Sequence, residues 1–225
     1  MQQYIFATRN RVHVINLEKT LGELKKALDF VKGVAASSGT VLFVGTKRQA
    51  KDAVKKAAIA CGMPYVTIRW LGGTFTNFKT IQKTIKKLER LQKLSLSPDF
   101  ETKYIKKERL LIEREIVKLT NLFEGIKDMK KLPEAMFAVD INHDKIAVTE
   151  AKKTGIRLIT LVDTNSDPSG INFVIPSNDD SIKAITLMCN AMAQAVNEGK
   201  SEVPAVAEPA AVQNTAVEKL ENVKN

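Results

Sequence analysis

Apolar positions along the chain follow two rhythms, and the rhythm changes between residues 69 and 78. Tyr4–Ala7 and Val12–Ile15 are short β-type runs around Arg9-Asn10-Arg11 and predict a small hairpin. Leu17, Leu21, Leu24, Leu28, Val31 and Val34–Ala35 recur at three- and four-residue steps, which predicts a helix to about Ser37 with those residues on its core face. Thr40–Val44 is unbroken apolar and β-branched sequence, as in a strand buried on both faces. Gly45-Thr46 turns into a helix expected from about Lys47 to Ala60, and Tyr65–Ile68 is the next strand. The same alternation returns later. Ala135–Val139, Arg157–Val162 and Phe173–Ile175 read as strands, and Lys145–Thr154 reads as a helix ended by Gly155. Ser177 or Asn178 is placed to cap a last helix, with Asp179 and Asp180 in its first turn, running to about Val196. Strand–helix alternation of this kind predicts an α/β fold, a doubly wound parallel sheet of about five strands with helices on both faces. From Glu198 no apolar face is evident, so 198–225 reads as a disordered tail with one helical turn near 217–223.

Between the two halves lies a different segment. Phe78, Ile81, Ile85 and Leu88 step by three, four and three, and Ser95-Leu96-Ser97-Pro98 breaks the pattern. Ser97 and Pro98 are suited to start a second helix. Beyond them Ile105, Ile112, Leu119 and Ile126 are spaced by seven, with Ile116 and Phe123 between, as in a coiled-coil seam. Two helices with one break predict an antiparallel hairpin over 77–131. It leaves a body of 1–76 and 132–197 and is inserted after the third strand. The joint is Arg69-Trp70-Leu71-Gly72-Gly73-Thr74-Phe75-Thr76-Asn77, which holds the single Trp and the single Gly-Gly pair. Paired glycines open backbone torsions closed to other residues. Trp70 and Phe75 can anchor the joint, and Thr76 or Asn77 can cap the first arm helix.

Charge changes the picture more than composition does. Residues 1–131 carry 27 Lys and Arg against 12 Asp and Glu, and the remainder carries 8 against 13. A basic surplus confined to one part of a chain is the footprint of a polyanion partner. Within 79–131 the balance is 15 against 8. The candidate RNA contacts are Arg9 and Arg11 in the hairpin, Lys47 and Arg48 at a strand-to-helix turn, Arg69 at the joint, and Lys79, Lys83, Lys86, Lys87, Lys106 and Lys107 on the arm. No apolar run is long enough for a membrane span. Cys61 and Cys189 match no metal spacing and read as buried thiols.

Specific catalytic patterns are missing. Gly45-Thr46-Lys47-Arg48 follows a strand, where a phosphate can sit on free N–H groups, yet neither G-x-x-x-x-G-K-[ST] nor G-x-G-x-x-G occurs. Asp140, Asp163 and Asp167 fall at or beyond strand carboxyl ends, the usual ligand side of such sheets, where carboxylates suit Mg²⁺. Asp163–Gly170 is equally rich in turn formers. His13 and His143 have no neighbouring ligand residues. No metal site and no cofactor is expected. Two rivals to RNA binding stand: a phosphate- or Mg-binding enzyme or switch using Asp140, Asp163 and Lys47, and an adaptor whose arm pairs with another coil.

Several blocks, in order, resemble one family: Tyr4-Ile5-Phe6, Val14-Ile15-Asn16-Leu17-Glu18-Lys19-Thr20, Phe43-Val44-Gly45-Thr46-Lys47, Arg69-Trp70-Leu71-Gly72-Gly73 with Thr76-Asn77-Phe78, Leu161-Val162-Asp163-Thr164-Asn165 with Asp167-Pro168, and Pro176-Ser177-Asn178-Asp179-Asp180. The family is protein two of the bacterial small ribosomal subunit. The resemblance implies a flavodoxin-like sheet with a protruding coiled-coil hairpin and no catalysis. It also implies binding to small-subunit ribosomal RNA and neighbouring ribosomal proteins, with support for the docking of protein one. It places such a chain on the ribosome, cytoplasmic or organellar, with no membrane partner and no homo-oligomer of its own. The family signature falls on Trp70, Gly72, Gly73, Asp163, Thr164 and Asn165. Family members usually have a further basic N-terminal segment with a histidine-glycine-histidine element, so contacts of that segment do not carry over by position.

Overall fold

The computed structural model describes residues 1–9 and 11–202. Two short strands, β1 (Ile5–Arg9) and β2 (Val12–Ile15), form an antiparallel hairpin. Helix α1 (Leu17–Ala36) follows, then β3 (Val41–Val44), α2 (Lys51–Ala60) and β4 (Tyr65–Val66). The arm is α3 (Phe78–Ser95), α4 (Phe100–Lys103) and α5 (Lys106–Phe123). Then come β5 (Ala135–Ala138), α6 (Lys145–Thr154), β6 (Arg157–Val162), β7 (Phe173–Pro176) and α7 (Ile182–Glu202).

Strands β3 to β7 make one parallel sheet in the order β4-β3-β5-β6-β7. This is the flavodoxin-like order, whose direction of winding reverses between β3 and β5. The arm therefore follows the second strand of the sheet, not the third. Strands β3 and β5 are buried along their whole length, as their unbroken apolar runs require. Alternate side chains feed two cores. Val41, Phe43, Ala135, Phe137, Ile159 and Leu161 pack with α1, α2 and α7. Leu42, Val44, Met136, Ala138, Leu158 and Val162 pack with α6 and with the joint.

The second core does not stop at the joint. Ile81, Ile85 and Leu88 of α3, with Phe123, Ile126 and Met129 of the returning chain, lie in the same apolar cluster as the sheet residues. The base of the arm thus covers the sheet, and an arm set wholly apart from the body from residue 77 does not describe it. Gln82 Nε2 donates to Lys130 O, and Gln92 Nε2 approaches Thr120 Oγ1, so α3 and α5 run antiparallel. Ile112, Ile116, Leu119, Phe123 and Ile126 form the inward stripe of the return. Ile105 does not extend it. It precedes α5, is exposed, and its N–H donates to the Glu108 carboxylate. Gly125 lets the return press on the sheet edge: its carbonyl accepts from Tyr65 N, and a Cβ there would collide with Tyr65 O.

Five further expectations change. Leu17 and Leu21 are exposed: Leu17 precedes the first buried residue of α1, Thr20, whose hydroxyl donates to Pro176 O, and Leu21 lies off the face that Thr20, Ala27 and Val31 bury. The fourth-strand segment is cut to Tyr65–Val66, with Ile68 exposed. The short helix α4 fills the break that Ser97-Pro98 was expected to turn into the second long helix. Helix α7 runs past Val196 to Glu202, so the start of the expected tail is helical, and 203–225 lie outside the described residues. Asp179 and Asp180 precede α7 instead of opening it.

Candidate nucleic-acid interface

The joint is organised by a side chain the sequence reading did not single out. Glu150 of α6 is buried, and its carboxylate accepts from Gly73 N at 2.6 Å, Phe75 N at 2.9 Å and Thr76 N at 3.3 Å. Trp70 Nε1 donates to the same carboxylate at 3.4 Å, and the Trp70 ring meets Phe75 edge-on at 4.8 Å. Burial alone would raise the Glu150 pKa, but the N–H groups of Gly73, Phe75 and Thr76 and the indole together hold it below the ordinary value. The wrap needs Gly73 at φ +92°. Asn77 takes the cap position of α3 without bonding a backbone N–H through its side chain, since its Oδ1 accepts from Thr80 Oγ1.

A second buried polar centre sits where the winding reverses, at the carboxyl ends of β3 and β5. Lys47 Nζ lies 3.1 Å from Asp140, 2.7 Å from Asp179 and 2.6 Å from Asp180. Burial pushes the Lys47 pKa down, the hydrogen bonds to those carboxylates push it up, and the net shift is upward. The Asp140 carboxylate, which burial alone would raise, is held low by His143 N and by Lys47. Burial raises Asp179, with Lys47 opposing it. Asp144, raised by burial, accepts from Thr46 N and Thr46 Oγ1. The crevice that holds ligands in sheets of this order is thus bridged by the protein's own ions. Asp163, Asp179 and Asp180 bring carboxylate oxygens within 4.8 Å of one another, a set able to face a cation. Asp167 is elsewhere, accepting from Ser169 N and Oγ.

These contacts reassign several candidates. Lys47 was expected at a phosphate; its ammonium is instead paired with the buried Asp140 and Asp179 and the exposed Asp180. Asp163 accepts from Thr164 N at 2.6 Å, and Asn165 O and Ser166 Oγ accept from Asn142 Nδ2. The Asp163-Thr164-Asn165 signature thus braces two loops at the strand ends. Arg9 and Arg11 stay exposed on the hairpin, with Arg11 in the left-handed region at φ +63°. Arg48 is exposed beside the Lys47 centre, and Arg69 is exposed before the joint.

The arm gathers the rest. Lys79, Lys83, Lys86, Lys87, Arg90 and Lys93 are all exposed on α3, and their spacing puts them on one helix face. Only Lys87 has an ion-pair partner among the described residues, Glu115 of α5. Pairs this exposed are worth about 0–1 kcal/mol and yield readily to a phosphate. Lys106 and Lys107 are exposed in the first turn of α5. Among the described residues no helix is long and apolar enough to cross a membrane.

A parallel sheet whose ligand crevice is bridged internally, and a helix face made of cations, fit a scaffold that binds RNA. The family model described as ribosomal protein S2 matches residues 1–199. The chain belongs to the ribosomal protein S2 family. Its role is that of a structural protein of the small ribosomal subunit, a non-enzymatic kind. Within this S2 fold the tryptophan-glycine-glycine signature has a physical reason, the wrap of the joint around Glu150. The sequence signal for Glu150 was faint: a single acidic residue on the apolar side of a short helix.

Proposed function

We propose that this S2-family chain binds small-subunit ribosomal RNA chiefly through the outer face of α3. Lys79, Lys83, Lys86, Lys87, Arg90 and Lys93 neutralise phosphates and release counterions, with Arg9, Arg11, Arg48, Arg69, Lys106 and Lys107 as outlying contacts. The observation that carries this reading is the make-up of that face: six exposed cations with one exposed Glu and no exposed aliphatic residue. A-form RNA hides its base edges in a deep major groove, so such a face reads backbone and shape. The body, with its Glu150 joint, holds the arm in place. The same reading puts the chain on cytoplasmic or organellar ribosomes, where it contacts neighbouring proteins and supports the docking of protein one.

The test is the triple variant Lys83→Glu, Lys86→Glu, Lys87→Glu, measured for association with S2-depleted small subunits across a salt series. Weaker association with a shallower salt dependence is expected. Unchanged association removes α3 as an RNA contact. The rival reading of a phosphate- or Mg²⁺-binding switch draws on the Asp163, Asp179 and Asp180 set. Calorimetric titration with Mg²⁺ and nucleotides decides it, because saturable binding lost in Asp163→Ala revives that rival.

A further inference from the structure

Helix α5 is apolar on two sides. Ile116, Leu119 and Phe123 pack with α3 and the body, and helical spacing puts Ile112 on the same face. About half a turn away, Leu110 and Val117 share the opposite face with Lys107, Arg114 and Lys118, and Leu111 sits at its margin. The structure leaves these aliphatic side chains uncovered: Leu110 is 46% exposed, Leu111 56% and Val117 60%. Among the described residues Lys107, Arg114 and Lys118 make no ion pair; the pairs of α5 are Glu115 with Lys87 and Arg109 with Glu101. Two of the three carboxylates of α5 lie off the stripe, and Glu113 borders the ridge on the side away from Arg114, three residues from Leu110 and four from Val117. Glu108 turns back to Ile105 N, Glu115 pairs across to α3, and Glu113 lines the cleft at the arm tip together with Leu110, Lys106 and Arg109.

We propose that this stripe docks an acidic amphipathic helix of a neighbouring protein, with an aliphatic ridge on Leu110 and Val117 and flanking carboxylates at Lys107, Arg114 and Lys118. The choice among occupants rests on charge and hydrophobicity together. A phosphate backbone gains from the three cations but leaves the aliphatics against charged oxygens, where they contribute nothing. A second copy of α5 would set three unpaired cations against three more. A helix with apolar residues at i, i+3, i+4 and i+7 and acidic edges satisfies both parts of the surface. The inference is independent of RNA binding by α3.

The test uses full-length protein carrying a photo-crosslinking phenylalanine analogue at position 117, assembled into S2-depleted small subunits. The same analogue at 110 and at 83 gives two parallel samples. Crosslinks from 117 and 110 to one protein segment with helical aliphatic spacing and interspersed Asp or Glu are expected, with crosslinks from 83 going to RNA. In a second measurement, Leu110→Glu with Val117→Glu lowers retention in particles at least tenfold while binding to protein-free small-subunit RNA changes less than twofold. Crosslinks from 117 or 110 to RNA, to residues 203–225 of the same chain, to a second copy, or to a basic protein segment overturn the proposal. So does the absence of any crosslink from both positions, or unchanged retention of the double variant. If α3 is not an RNA contact, the sample at 83 shows it separately.

Discussion

Helices α3 and α5 are each 18 residues long and pack antiparallel in one hairpin, yet their outer faces differ. The face of α3 is cationic with no exposed aliphatic side chain, while that of α5 interleaves Leu110 and Val117 with Lys107, Arg114 and Lys118. Counting charge over 79–131 merges the two into one basic segment. Position by position they are two surfaces with different chemistry, one suited to phosphate and one to an apolar, acidic protein face. The comparison also separates support from contact. Both helices rest on one apolar base and one carboxylate-held joint, so damage there removes both faces at once, whereas damage to either outer face is selective.

The base gives the largest expected effect. Phe123 is fully buried where α5 enters the second core. Phe123→Ala is expected to cost about 3–5 kcal/mol, from lost burial plus the cavity left behind. Denaturant unfolding followed by circular dichroism measures it. A loss under about 1 kcal/mol would mean the arm is not part of the cooperative core. Glu150→Ala comes next, at about 3 kcal/mol, since it strands the N–H groups of half-buried Gly73 and buried Phe75. The Glu150 pKa is lowered in the fold, so its contribution is full above the ordinary glutamate value of about 4.3 and is lost as pH falls through the lower folded value. Glu150→Gln should therefore flatten the acid limb of a stability-against-pH curve, and an unchanged limb would show that the carboxylate carries no such linkage.

How much of this was legible beforehand follows from which interactions are periodic. The sheet strands announced themselves as unbroken apolar runs, because they are buried on both faces, and the inward stripes of both arm helices by the 3.6 period that one-sided burial imposes. The Lys47 centre did not. Its partners Asp140, Asp179 and Asp180 are remote in sequence from Lys47, and only closure of the parallel sheet brings them together. Asp167 was grouped with Asp140 and Asp163 as lying at or beyond strand carboxyl ends, and the turn it caps for Ser169 points it elsewhere. Leu17 and Leu21 fit the helical period and are nonetheless exposed, since a period fixes neither how far along the helix the core extends, which leaves out Leu17, nor the centre of the buried face, which Thr20, Ala27 and Val31 set away from Leu21. The Trp70-Gly72-Gly73 signature was visible as composition, but its reason, Glu150, lies 75 residues beyond Phe75.

A smaller expected effect sharpens the contrast between the outer faces. Lys83→Glu, Lys86→Glu and Lys87→Glu together should leave the unfolding midpoint almost unmoved, because the one ion pair lost, Lys87 with Glu115, is exposed. Affinity for protein-free small-subunit RNA should fall instead. The slope of log affinity against log salt should become shallower by about 2–3, at roughly 0.7–0.9 per phosphate contact. A changed affinity with an unchanged slope would point to altered arm geometry, not to lost phosphate contacts.

The smallest effect is the most discriminating. Leu110→Ala with Val117→Ala should change the stability of the isolated chain by no more than about 0.5 kcal/mol, as for exposed positions away from special features. Alanine is also the better helix former at position 117, which offsets part of any packing loss. Binding to protein-free RNA should be equally indifferent, since neither side chain can meet a phosphate. If both hold, neither fold nor RNA accounts for two large aliphatic residues on an otherwise cationic face, and only contact with another apolar surface is left to do so. If instead the double variant is destabilised by 2 kcal/mol or more, as about expected for buried positions, then α5 packs its second stripe within the chain. The two outer faces would then differ because one of them is not an outer face at all.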